Sequence, residues 1–236
     1  MDWIVAPEEL ADRWTTVDSH SYPYPLSVQT RRPADRTSAR RFAHPEFDVA
    51  LGVLVEPELR ITVEGEHPDS PHTVRMLGCV GNGAGALAVQ TCNAASDHAG
   101  AVHIWFGDST QLAGRIAYAL PLVHGGREQP CTVPAAELRR GCAPVEAALG
   151  AGDIDLARRL LCATRIAEGH LCIESGPAAA ESAPCMLMAW IDVAGDGRYL
   201  MHSDQDVRII PGSPAAVSRE LDRAITARAG DVRLAC

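Results

Sequence analysis

The residue best placed to act as a nucleophile is Ser109, in the run Phe106-Gly107-Asp108-Ser109. This run follows a predicted strand and precedes a predicted helix. A serine at such a turn can attack an ester when a histidine takes its proton and N–H donors bind the oxyanion. The same position is where a helix N-cap is expected, and both Asp and Ser cap helices well. Ser109 is therefore a candidate nucleophile or, with Asp108, a candidate cap.

The pattern around Ser109 resembles only the first block of GDSL-type esterases, with Gly114 following the serine. That family also has an Asn in a later Gly-x-Asn-Asp block, but this sequence has no Asn after Asn93. The family's histidine follows an aspartate by three residues, which is true of none of His124, His170 and His202. A serine without a base and oxyanion donors gives little rate. Capping is favoured, and a GDSL-like esterase with Ser109 as nucleophile is the alternative.

Three further groups of residues could bind a ligand, and each has a plainer interpretation. The glycines at 81, 83 and 85 have the wrong spacing for a dinucleotide loop and indicate a hairpin turn. His67 and His72 flank Asp69 in a predicted loop, without a third metal ligand at a suitable spacing. Four aspartates surround two predicted turns: Asp192, Asp196, Asp204 and Asp206. We predict no catalytic residue, no cofactor and no metal ion.

The composition is that of an ordinary globular protein with an acidic charge balance. Of the 236 residues, 47% are apolar, and 21 Lys and Arg stand against 30 Asp and Glu, for a net charge of −9. Every basic residue is Arg, because the sequence contains no Lys. An Arg-only, Ala-rich chain indicates a GC-rich genome. A net-negative chain without a basic cluster is a poor nucleic-acid ligand, because phosphate neutralisation drives that affinity.

The sequence predicts no export signal, membrane span or disulfide. The apolar run Trp3–Ala6 is followed almost at once by Glu8, and the longest uncharged stretch, Met76–Ser96, is rich in Gly and polar residues. No two cysteines have the two-residue gap of a zinc knuckle or redox motif. They lie at positions 79, 92, 131, 142, 162, 172, 185 and 236. We expect a cytoplasmic protein with eight reduced thiols.

Local patterns predict helices followed by an antiparallel meander in the first half of the chain. A strand precedes a helix from Pro7, and a second helix spans Arg36–Leu54 with a break near His44-Pro45. Four strands follow, at Leu59–Val63, Val74–Val80, Ala86–Thr91 and Ala101–Phe106. Gly81-Asn82-Gly83 joins the middle two as a hairpin. A helix then ends at Leu120, before Pro121.

The second half has a similar order. After a loop at His124–Pro130, helices are predicted over Ala135–Leu149 and Asp153–Glu168, the latter ended by Gly169. A loop at Gly176–Pro184 leads to three strands and to a helix opened by Ser213-Pro214. The strands are Met186–Val193, Gly197–Met201 and Val207–Ile210.

A weak internal repeat is visible between the ends of the two halves. Val102–Leu120 and Val207–Ile225 both read as strand, cap and amphipathic helix. Ile104 matches Ile209 in the strand, and Leu112 matches Val217 in the helix. We predict that the two segments superpose. Chance is the alternative, because strand-cap-helix units are common.

The order of these elements resembles the EspG family of ESX secretion-associated proteins. The matching segments are spread over nearly the whole chain: Ile4–Leu10 with Trp14, Tyr24-Pro25-Leu26, Pro45-Glu46-Phe47, Val74-Arg75, Ala88–Gln90, Leu112–Pro121, Gly197–Leu200 and Val207–Ile225. The Tyr- and Pro-rich segment at 21–25 and the many cysteines depart from the family pattern.

The resemblance implies an α+β fold with an antiparallel central sheet flanked by two helical bundles. It implies one domain over residues 1–230, with halves of about 1–125 and 126–230, and a frayed tail at 231–236. The implied function is that of a cytosolic actinobacterial chaperone of type VII secretion, which binds PE–PPE-like proteins and catalyses nothing. A generic protein-binding module is the second alternative to the esterase.

The family has no partner-binding motif to transfer, so the binding surface is a separate hypothesis. Loops and outward side chains on a rigid sheet commonly carry recognition. We expect contributions from the outward side chains of Gly197–Met201, from the last helix, and from a loop at Glu64–His72.

Overall fold

Ten antiparallel strands form one continuous sheet in the computed structural model, which describes residues 1–18, 23–27, 44–67, 70–93, 100–139, 152–176 and 186–235. The strands are β1 (Asp2–Val5), β2 (Leu59–His67), β3 (Ser70–Gly81), β4 (Ala84–Asn93), β5 (Val102–Asp108), β6 (Cys131–Pro134), β7 (Arg165–Ser175), β8 (Met186–Val193), β9 (Gly197–Ser203) and β10 (Asp206–Pro211). Their order across the sheet is β1-β5-β4-β3-β2-β7-β8-β9-β10-β6.

Six α-helices and one 3₁₀ turn accompany the sheet in the described residues. They are α1 (Pro7–Val17), α2 (Pro45–Val55), the 3₁₀ turn Ser109–Gln111, α3 (Leu112–Ala119), α4 (Ala135–Arg139), α5 (Asp153–Cys162) and α6 (Pro214–Ala235). None of these helices is long and apolar enough to cross a membrane. The predicted α+β fold, with a central antiparallel sheet between helices, is confirmed.

The helices cover the two faces of the sheet differently. On the first face, α3 and α6 pack on each other and on a core that includes Trp105, Trp190 and Leu221. On the second face, α1 and α2 cover the strands of the first half around Leu54 and Leu77. The same face carries a separate core under α4 and α5 in the second half. The centre of the second face lies between these two helix pairs.

Within the described residues, both halves have the same order of elements: a strand, two helices, four strands and a final helix. β1 and β6 form the two outer edges, and β2 pairs with β7 at the centre, from Leu59 opposite Ser175 to Glu66 opposite Glu168. β5 and β10, which lead into α3 and α6, take corresponding places in the strand order. The residue-by-residue superposition of Val102–Leu120 on Val207–Ile225 stays a prediction.

Two local predictions are confirmed by backbone geometry. Asn82 and Gly83 have φ angles of 53° and 75°, and positive φ at both central residues is typical of the hairpin turn between β3 and β4. Asp108 caps the helix after β5, because its carboxylate accepts the N–H of Thr110 at 2.8 Å. Ser109 is therefore the first residue of the 3₁₀ turn and does not act as the cap.

The predicted helix over Asp153–Glu168 is wrong in its second half. α5 ends at Cys162, and β7 begins at Arg165 and passes through Gly169. Exposed and less exposed side chains alternate from Arg165 to Glu168, as in a strand with one open face. β6 is too short and too close to proline to be seen in the sequence. The remainder of the predicted helices over Arg36–Leu54 and Ala135–Leu149, and the loop after Gly176, lies outside the described residues.

One further expectation differs from the structure. Cys172 is disulfide-bonded, so the prediction of eight free thiols is wrong, although Cys79, Cys131 and Cys162 are free. The backbone of α6 continues to Ala235, and the fraying expected at residues 231–236 stays a prediction.

Candidate partner-binding groove

An open groove of about 430 Å³ lies at the centre of the sheet, and we call it the central groove. Its lining comes from β2, β7, β8 and β9: Glu64, Gly65, Glu66, Arg165, Glu168, Gly169, His170, Ala189, Trp190, Ile191 and Met201. The groove is shallow and mixes acidic with apolar side chains.

Strand register explains why these residues meet. Glu64 lies opposite His170, His170 opposite Ala189, and Ala189 opposite Met201, in one row across four strands. Residues that are opposite in a sheet share a face, so the row lies on the face that carries the two separate helix pairs. Towards the first half, the row continues through Arg75 to Gln90.

At Gln90 the row is closed by a neighbouring segment. The Gln90 side chain accepts the N–H of Ser27 at 2.6 Å and donates to the carbonyl oxygens of Ser27 and Gly100 at 2.9 and 3.0 Å. Gln90 is fully buried as a result. The same row is therefore covered on one side of the molecule and open at the central groove.

Glu64 stands at the boundary between the covered and open parts. The Tyr24 hydroxyl donates to its carboxylate, and His170 Nε2 lies 3.5 Å from Glu64 Oε2. The hydrogen bond to Glu64, together with burial and the Glu64 charge, raises the pKa of Tyr24. Tyr24 is nevertheless half exposed, at 51%.

Two glutamates face each other beside this row. Glu66 and Glu168 are directly opposite on β2 and β7, and both are exposed. Arg165 forms an ion pair with Glu168 and donates a second bond to the carbonyl of Leu161 at 2.8 Å. The side chain of Glu66 has no hydrogen bond or ion pair with any residue that the structure describes. Arg165 therefore pairs with only one of the two carboxylates.

Two glycines lie behind the groove, on the opposite face of the sheet. Gly65 and Gly169 lie opposite each other, and a Cβ added to either would come within 2.3 or 2.1 Å of the Trp190 ring. The indole of Trp190, which belongs to the core of the first face, thus occupies the space that two side chains would need.

Comparison with protein-family models assigns the chain to a family. A family model described as EspG family matches residues 13–223, which is most of the sequence. The chain belongs to the EspG family.

A solved structure agrees with this assignment at the level of the fold. It is the Mycobacterium tuberculosis type VII secretion system chaperone EspG5 in complex with the PE25–PPE41 dimer. The match has a TM-score of 0.62 and 13% sequence identity, and covers 92% of this chain and 93% of that chain. No curated protein sequence matches the chain.

In this EspG protein Ser109 is remote from the central groove. It lies at the other end of the β4–β5 pair, where its N–H donates to the carbonyl of Gly83 at 3.2 Å. No histidine makes a hydrogen bond or ion pair with Ser109 among the described residues. The structure therefore gives Ser109 no base, and its neighbour Asp108 is the helix cap.

Two of the four aspartates singled out in the sequence have internal partners, whereas Asp204 and Asp206 are exposed. Asp192 forms a bidentate ion pair with Arg198 at 2.7 and 2.8 Å, and both side chains are buried. Asp196 accepts the Tyr199 hydroxyl and the N–H of Arg127. Within the described residues, no group of three or more His, Cys, Asp or Glu could hold a metal ion. The side chains of His67 and His72 lie outside that description.

The expected binding surface stays a prediction, but the structure changes which of its residues are exposed. Gly197, Arg198, Tyr199 and Leu200 are buried, so these residues do not present outward side chains. The supposed loop at Glu64–His72 is largely the end of β2 and the start of β3. Glu64, Glu66 and Met201 line the groove. No β7 residue was among the candidates for this surface, because Glu168 was assigned to a helix ended by Gly169.

Proposed function

We propose that this EspG protein is a type VII secretion chaperone that binds a PE–PPE-like substrate, keeps it soluble for export and catalyses nothing. The family match over residues 13–223 carries the proposal. Support comes from the shared fold with EspG5, which was solved as a complex with the PE25–PPE41 dimer. A cytoplasmic location and a single domain over residues 1–230 belong to the same proposal. The continuous pairing of β2 with β7 supports the single domain.

The central groove is the docking surface in this proposal. It is open and shallow, whereas sites for small molecules enclose most of their ligand. It lies on the rigid centre of a ten-stranded sheet. Side chains of different chemistry stand next to one another, with Ala189 and Met201 beside Glu64 and His170. A protein partner can cover such a surface and bury on the order of 1,200–2,000 Å² in total.

The test is co-expression with the PE–PPE-like pairs encoded in the source genome. We expect one pair to be insoluble alone and to co-purify with this protein as a stable complex. Ala189→Arg places a long cation on the groove floor and should abolish co-purification. Thr132→Arg, an exposed change on the outer strand β6, is the matched control and should leave the complex intact.

Ser109→Ala separates the chaperone from the esterase. The variant should bind the substrate like the wild type, and its stability should change by less than about 0.5 kcal/mol, because Ser109 does not cap the helix. Hydrolysis of a short-chain p-nitrophenyl ester by the wild type, lost in Ser109→Ala, would contradict the proposal. Failure of every PE–PPE-like pair to co-purify would contradict it as well.

A further inference from the structure

Resting on the proposed function, we propose that the central groove receives a protruding basic segment of the substrate, with an Arg or Lys side chain between Glu66 and Glu168. The occupant is a protein segment that combines one cation with adjacent aliphatic side chains. Charge complementarity and the shape of the open sheet face carry the proposal.

The first observation is a like-charge pair at a concave surface. Glu66 and Glu168 are directly opposite on neighbouring strands, an arrangement that disfavours the sheet when both side chains are ionised. Arg165 offsets only one of the two, through its ion pair with Glu168. With Glu64 in the same groove, three carboxylates stand against one guanidinium. A cation inserted by a partner would lie between Glu66 and Glu168 and remove their repulsion.

The second observation is that other polar side chains on the same sheet face are hydrogen-bonded within the protein. Gln90 makes three hydrogen bonds in the row that continues to Glu64. Arg60, buried next to that row, donates to the carbonyl oxygen of Tyr24. Glu66, in contrast, has no partner in the described part of the chain. Its acceptor atoms are available to a second molecule.

The third observation concerns what surrounds the carboxylates. Ala189 and Met201 lie beside them on β8 and β9, and both are partly exposed. A bound segment can therefore place aliphatic side chains on these residues while its cation reaches the glutamates. A guanidinium suits this position best, because its planar fork can donate to two carboxylates at once.

The groove chemistry favours a side-chain cation over a metal ion. A divalent metal needs several oxygen or nitrogen ligands converging on one point. The described residues contain no group of three or more that could supply them. Two opposed glutamates with an apolar border fit an arginine or lysine carried on a protein.

The experiment measures the affinity of the full chain for the PE–PPE-like pair that co-purifies with it. Glu66→Gln, Glu168→Gln and the double variant keep the side-chain shape and remove the charge. We expect the double variant to raise Kd about tenfold or more. It should also weaken the dependence of Kd on NaCl between about 50 and 500 mM, because fewer charges are paired. Glu56→Gln, an exposed change at the end of α2, is the control and should bind like the wild type.

A charge swap identifies the cation. Arg or Lys residues at the protruding ends of the substrate are changed to Glu one at a time, and one change should weaken binding to the wild type. Glu66→Arg should restore binding to that substrate variant and not to the unmodified substrate. Circular dichroism and thermal melting of each variant show whether the fold is intact.

The outcomes separate this inference from the function on which it rests. If no PE–PPE-like pair binds the wild type, the proposed function fails and this inference fails with it. If the wild type binds and the folded Gln variants stay within about twofold of its Kd, the basic segment is wrong and the chaperone function stands. Binding that is lost on adding EDTA and restored by Mg²⁺ or Ca²⁺ would also overturn the inference.

Discussion

Two polar clusters on this sheet differ in how completely their charges are paired. In the first, which we call the closed cluster, Asp192 and Arg198 form a bidentate pair with exposures of 1% and 0%. The neighbouring Asp196 and Tyr199 bind each other and the backbone N–H groups of Arg127 and Glu128. In the central groove, Glu66 faces Glu168 without an ion pair of its own among the described residues.

The closed cluster fixes the segment that joins the two halves. The N–H of Arg198 donates to the carbonyl of His124, and its own carbonyl accepts the N–H of Gly126. The Tyr199 hydroxyl accepts the N–H of Glu128 at 3.0 Å. Burial, with the Asp196 hydrogen bond, raises the pKa of Tyr199 to about 12, so the hydroxyl stays a donor. The difference from the groove is that the charges of the closed cluster are paired within the protein, whereas Glu66 keeps its carboxylate free of described partners, as the proposed recognition requires.

The largest expected difference in stability between the two clusters comes from removing the Arg198 side-chain charge. Arg198→Met leaves Asp192 buried without its partner, and should lower the free energy of unfolding by about 3–5 kcal/mol. Glu168→Gln in the groove should change it by less than about 1 kcal/mol, because its ion pair with Arg165 is largely exposed. Urea unfolding of both variants measures the contrast. Equal losses of unfolding free energy would show that the two clusters contribute equally to stability.

A smaller effect comes from the joining segment itself. A Cβ at Gly126 would lie 2.0 Å from the Tyr199 ring, so Gly126→Ala should destabilise the protein by about 1–3 kcal/mol through displacement of that ring. Gly52→Ala is the control, since nothing lies within 4 Å of a Cβ in the middle of α2. It should stabilise the protein by about 0.5–1 kcal/mol. A lower melting temperature for Gly126→Ala and a higher one for Gly52→Ala would confirm that the closed cluster stabilises the fold. An unchanged melting temperature for Gly126→Ala would contradict it.

The smallest effect concerns a third cluster, which is only partly closed. His202 on β9 lies 3.7 Å from Glu220 on α6, and Glu220 is also paired with Arg208 and Arg223. Burial lowers the pKa of His202, and Arg208 lowers it further against the opposing effect of Glu220. The unfolded chain therefore takes up this proton first, at its ordinary value of 6.5, and stability falls as the pH drops below that value. Above that pH, His202 is neutral in both the folded and the unfolded chain, and protonation of His202 no longer lowers the stability.

His202→Gln should flatten the pH dependence of unfolding between about pH 7.5 and pH 5, as followed by urea titration. His103→Gln, an exposed change on β5, is the matched control and should keep the wild-type slope. A wild-type protein that becomes more stable on acidification in this window would show that the sign is wrong.

The sequence predicted the first half of the fold better than the second. Leu59–Phe106 alternates clearly, and Asn82-Gly83 fixes a hairpin, so local signals determine those strands. β7 was missed because Arg165–Gly169 has a single β-branched residue, Ile166, and continues the helical pattern of α5. Its identity as a strand is set by pairing with β2 and β8, which is tertiary information.

The groove was less accessible to prediction than the fold. Glu64 and Glu168 come together only through the register of two strands from different halves. Nothing in either segment alone specifies that register. Tyr199 lies in the segment Gly197–Met201, whose outward side chains were expected to bind a partner, but the segment His124–Glu128 covers it. Burial by a distant segment leaves no local signal in the strand that it covers.

The central position of the β2–β7 pair has a consequence for how the protein is made. Protein synthesis proceeds from the N-terminus, so β2 is complete long before β7 leaves the ribosome. Until then its nine residues are the bare edge of a five-stranded sheet, able to pair with any other extended chain. The pairing that closes this edge joins residues distant in sequence, which is the slowest kind of contact to form. The protein is therefore most prone to aggregate during its own synthesis, and that period ends when β7 docks on β2.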